Sequence, residues 1–98
     1  MNKIVDNFVV RVCDDYNKYL ESEENLCFKK VIEKSIADLK TELKDRFPRT
    51  IKHDVFVELV DFCRLKKERS CTRSMEIAVV NVMTALAQLI AEGEVKVI

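Results

Sequence analysis

Four cysteines, Cys13, Cys27, Cys63 and Cys71, are the first residues whose chemistry must be placed, and their spacings of 14, 36 and 8 contain no Cys-x-x-Cys pair. A zinc knuckle or a thioredoxin-type redox centre needs that close pair, so no metal ligand and no cofactor is assigned. Cys13, Cys27 and Cys63 adjoin or lie within apolar stripes and read as small core side chains, kept as free thiols in a reducing compartment. Cys71 stands among Lys67, Arg69 and Arg73 near a helix start, which makes it the thiol expected to react first. His53 is the one histidine, and no serine or cysteine beside it in sequence completes a nucleophile and base pair. Asp14 and Asp15 are adjacent on a helix and therefore diverge, so they form no carboxylate dyad. The reading is non-enzymatic, with no catalytic residue named.

Charge is the other chemistry on offer. Lys and Arg number 17 and Asp and Glu 17, so the formal charge cancels and any steering of a partner depends on placement. Asp14, Asp15, Glu21, Glu23 and Glu24 against Lys18 make an acidic pole. The opposite bias runs from Arg46 to Arg73 and is densest at Arg64, Lys66, Lys67, Arg69 and Arg73, the five residues expected to contact a partner.

The elements that must carry these groups are helices. One Gly and one Pro cannot furnish the tight turns of a sandwich or barrel, nor the glycine-rich loop that cradles a nucleotide phosphate. With 98 residues, 48% of them hydrophobic and 35% charged, the chain is one folded domain spanning 1–98. Apolar residues at spacings of three and four predict helix one from about Asn2 to Glu21. Its inward set is Ile4, Val5, Phe8, Val9, Val12, Tyr16, Tyr19 and Leu20, and Ser22 is the candidate cap of the next helix. Helix two turns Leu26, Phe28, Val31, Ile32, Ile36, Leu39 and Leu43 inward, keeps Lys30, Lys34, Lys40 and Lys44 on a solvated face, and ends at Pro48 with Phe47 tucked beneath it. Thr50 is expected to cap helix three, which fades near Lys67. Ser70, Thr72 or Ser74 caps helix four, and Gly93 closes it before the alternating tail Glu94–Ile98. The fold class is thus all-α, a compact bundle of about four helices with a short extended C-terminal tail.

Helix four is apolar nearly all round: 13 of the 17 residues from Met75 to Ala91 are apolar, more than one buried face needs. It is too short and too interrupted by Asn81, Thr84 and Gln88 for a membrane span, so it must be enclosed by its own chain or by a second copy. A homodimer with helix 75–91 as the seam is the favoured expectation, and Asn81, Thr84 and Gln88 read as its solvated edge. The pattern Val82-xxx-Leu86-xx-Leu89-xxx-Gly93-x-Val95 resembles the end of a winged-helix recognition helix entering its wing. That resemblance covers less than a fifth of the chain, and it implies a helix-turn-helix hairpin of helices three and four. The connection between these helices reads as long for that motif, and a second wing strand has no counterpart.

These features point to a small non-enzymatic protein that works through a protein partner, as an adaptor, regulator or inhibitor. The alternative is a nucleic-acid-binding regulator using the helix three to four hairpin. The first apolar stretch, Phe8 to Val12, is broken by Arg11 and followed by two acids, so no secretory leader is read and the cytoplasm is the expected location.

Overall fold

A computed structural model describes residues 2–21 and 28–98. The element order is α1 (Asn2–Glu21), α2 (Phe28–Arg46), β1 (Thr50–Ile51), α3 (His53–Glu68), α4 (Arg73–Ala91) and β2 (Lys96–Val97). The fold is an all-α bundle with a short tail. Ser22, Leu26 and Cys27 lie outside the described residues, as do the side chains of Tyr19, Leu20 and Phe28.

α4 is the hub, packed against α1, α2 and α3. Its stretch has the length and mean hydropathy, 1.6, of a membrane-crossing helix. Here 44% of that stretch is buried, with Ala78, Val79, Val82, Ala85, Leu86 and Leu89 facing inward. Ala78 and Ala85 are fully enclosed and lack the bulk to hold neighbouring helices away. Around this axis sit Val5, Phe8, Val9 and Val12 from α1, Leu39 and Leu43 from α2, and Leu59 and Cys63 from α3. The monomer itself therefore supplies much of the enclosure that the sequence reading sought in a second copy. Three helices do not close the ring, because the Cα extents of 45 × 27 × 17 Å describe a slab about two helices thick, and one strip of α4 stays open.

The polar stripe is corrected by this packing. Asn81 is buried, and its side-chain amide donates to the Tyr16 hydroxyl at 2.9 Å across the α1–α4 contact. Thr84 is half-buried and donates to the Val80 carbonyl, which leaves Gln88 as the fully exposed member of the three.

The ends of the helices explain how the hairpin of α3 and α4 is held. Thr72 caps α4, its hydroxyl accepting from the Met75 N–H at 3.2 Å. At the other end Gly93 adopts φ +80°, the Gly93 N–H donates to Ile90 O and the Glu94 N–H to Leu89 O, which is the Schellman closure. That reversal buries Val95 and aims the tail at the α2–α3 connection, where β2 pairs in parallel with β1, Thr50 opposite Lys96 and Ile51 opposite Val97. Phe47 is buried beneath the end of α2.

Thr50 does not cap α3. It lies in β1, the cap position belongs to Lys52, and no side chain bonds there. The Ile98 carbonyl accepts from the His53 N–H at 2.8 Å instead, so the tail supplies the acceptor that a threonine would have.

Candidate functional site

The basic segment resolves into groups with different duties. Lys66 folds back onto Asp6 of α1 and lies 5.6 Å from the centre of the Phe62 ring, so it ties α3 to α1. Arg64 is exposed and spans Asp61 at 3.8 Å and Glu68 at 3.3 Å on its own helix. Lys67, Arg69 and Arg73 are exposed and have no carboxylate within ion-pair distance among the described residues. The five positions are thus gathered at one end of the α3–α4 hairpin, with three of them uncommitted.

Next to them, sequence reasoning missed a feature. The exposed strip of α4 and the outer side of α3 enclose an apolar furrow of 260 Å³, lined by Phe56, Val60, Met83, Leu86, Ala87 and Ile90 among others. It continues along the hairpin to Val80 and Thr84, where Arg64 and Lys67 form its wall. Phe56 faces Ile90 at one end and Lys67 faces Val80 at the other, as an antiparallel helix pair requires. Val57, Val60 and Val80 remain 43%, 38% and 39% exposed, which for apolar side chains marks an uncovered surface. The signal was present in the sequence as an α3 stripe too wide for one buried face: Val57 and Val60 extend it beyond Leu59 and Cys63.

Other hollows differ in chemistry. The one between α1 and α2 is rimmed by Arg11, Asp15, Lys34, Asp38 and Glu42, and the one between α2 and α4 by Glu33, Lys40, Lys44 and Glu92. Several of these charges already satisfy one another, as in Arg11–Glu42, Lys40–Glu92 and, at 3.3 Å, Lys44–Glu94. Lys40 and Lys44 are therefore not merely solvated but clamp the end of α4 and the tail to α2. The α3–α4 furrow has an apolar floor and, among the described residues, cations as its only lining charges.

Reactive groups lie apart from one another. His53 is exposed at the first residue of α3, and no described side chain hydrogen-bonds its ring. Cys13, Cys63 and Cys71 are free thiols, the first two buried and the third exposed. Burial pushes the Cys13 thiol above its ordinary value, with Asp14 adding to the rise and Asn17 opposing it. Burial raises Cys63 likewise, against the pull of Lys66. No group of three or more His, Cys, Asp or Glu able to hold a metal occurs among the described residues.

Comparison with known protein families, with curated proteins and with solved structures finds no match.

Proposed function

We propose that this chain is a non-enzymatic binding protein whose partner is another protein, engaged at the α3–α4 hairpin. The observation that carries the reading is the juxtaposition of an uncovered apolar furrow with a cluster of uncommitted cations at one end of the same helix pair. Protein interfaces combine a desolvated apolar anchor with a charged rim in this way, the anchor supplying affinity and the rim steering encounter. In this reading Phe56, Val60 and Met83 are the anchor, Lys67, Arg69 and Arg73 act at the rim, Arg64 acts at both, and Lys66 keeps the hairpin in place through Asp6.

The nucleic-acid alternative draws support from the connection between α3 and α4. It is four residues, Arg69–Thr72, shorter than the sequence suggested and within the range of a helix-turn-helix. Against it stands the free strip of α4, where Val80, Ala87 and Ala91 are exposed and Arg73 is the only cation. A helix that reads base edges and contacts phosphates needs donors there.

The test is enrichment from extracts of the source cells with wild-type protein and Val60→Asp, followed by reconstitution with the purified protein that only the wild type retains. Direct binding should weaken at least ~10-fold for Val60→Asp, as expected of a central anchor. Charge reversal at Lys67, Arg69 and Arg73 should mainly slow association. Binding indifferent to both changes overturns the proposal. Tight binding to labelled duplex DNA that falls steeply with salt favours the alternative.

A further inference from the structure

Resting on that reading, we infer that the furrow takes an amphipathic helix of the partner, about three turns long, whose acidic end lies against Arg64 and Lys67. The shape is the first argument. Two antiparallel helices with a continuous apolar seam between them leave the place a third helix occupies in a bundle, and a bundle's third helix presents residues at i, i+3, i+4 and i+7. From Phe56 to Lys67 the wall supplied by α3 rises about 16 Å, the length of three turns. Ala87 lets a backbone come close, while Met83 can re-form its side chain around whatever is inserted.

Charge gives the direction and excludes the rival occupants. The lining charges are both positive and both at the Val80 end. Arg64 is shared with Asp61 and Glu68 of its own helix, whereas Lys67 is unpaired among the described residues. An inserted helix with carboxylates at that end therefore gains chiefly at Lys67, and one with lysines is repelled there. If its C-terminus is at that end, the negative pole of its dipole adds to the match. A second copy docked about a two-fold axis would lay Arg64 and Lys67 against the apolar Phe56–Ile90 end of its mate if the furrows run antiparallel, or against the mate's own Arg64 and Lys67 if they run parallel. Either arrangement desolvates cations with no carboxylate of the mate's furrow to meet them. A phosphate backbone gains nothing from the apolar floor.

The probes are fluorescein-labelled peptides of about 14 residues with leucines at helical a and d spacing. One pair carries a glutamate block at the N- or the C-terminal end, and a matched pair carries lysines in the same places. At least one glutamate peptide should bind the wild-type chain at least ~10-fold more tightly than its lysine counterpart, a difference that shrinks with salt. Val60→Asp should abolish binding while the far-ultraviolet spectrum and melt stay native. The exposed double change Arg64→Glu with Lys67→Glu should reverse the preference to the lysine peptide, an outcome that loss of folding cannot mimic. Equal binding of all four peptides, or binding unaffected by either variant, overturns the inference. So does a dimer by sedimentation equilibrium that Val60→Asp dissociates, because the second copy then owns the furrow. Should the peptides fail while the reconstituted partner is still lost with Val60→Asp, the proposed function stands and the helical form of the contact falls.

Discussion

Cys13 and Cys63 are shielded by the helices around them, whereas Cys71 projects from the connection before α4 with its thiol 3.8 Å from the Arg69 carbonyl. Among these three, Cys71 is expected to be alkylated first under native conditions, and site-resolved mass spectrometry at neutral pH reads the order; prior labelling of Cys13 or Cys63 would contradict their burial. The same burial makes an alkaline prediction. Folded Cys13 and Cys63 hold their protons above the ordinary thiol value of 9.0, and Tyr16 above 10.0, because burial outweighs the bond from Asn81. All three are acids with raised folded values, so the unfolded chain loses protons first. Their contribution is complete below pH 9 and is lost as pH rises beyond it. Melting temperature should fall through that range, and the fall should be shallower in a Cys13→Ala, Cys63→Ala variant. The cation cluster was legible at this scale from types alone, but the division of labour within it was not. Asp6, 60 positions from Lys66, has no sequence signal linking it to that lysine.

Helices were legible because a period near 3.6 repeated over 16 to 20 residues outweighs local accidents, and α1 has the limits its stripe implied. The strands β1 and β2 have two residues each, too few to show any period, and their partners are 46 positions apart. That is why Thr50 read as a cap. Gly93 was readable, since a lone glycine after an apolar helix is where a left-handed residue belongs. A Cβ there would meet nothing within 4 Å, so the demand for glycine comes from φ alone. Gly93→Ala should therefore cost about 1 to 2 kcal/mol in denaturant melts. Gly93→Asn should cost less, because asparagine tolerates that region. Equal losses for the two would place the constraint in packing instead.

At the scale of the whole molecule, one helix serves as core for the other three, so damage to it should be felt everywhere at once. Leu89→Ala, at a site 1% exposed, should lower stability by ~2 to 5 kcal/mol, measured as a shift in urea midpoint at unchanged slope. A local loss of α3 alone, seen as a changed slope, would contradict the hub arrangement. The apolar excess of α4 was visible in the sequence, but which side of it stayed uncovered was not, because that depends on how three helices divide its circumference. The furrow became visible only when α3 was seen to cover one flank and leave Val80 and Ala87 bare. The tail that accepts the His53 N–H bears on how the chain acquires this shape over time. Joining Thr50 to Lys96 closes a long loop around the hairpin, and such closure is slow because the ends must find each other before any contact rewards them. During synthesis, α1 and α2 emerge before their axis exists, and α3 cannot gain its N-terminal acceptor until residue 98 has been added. The nascent chain should thus remain protease-sensitive until residues 96–98 clear the ribosome and then become resistant in one step.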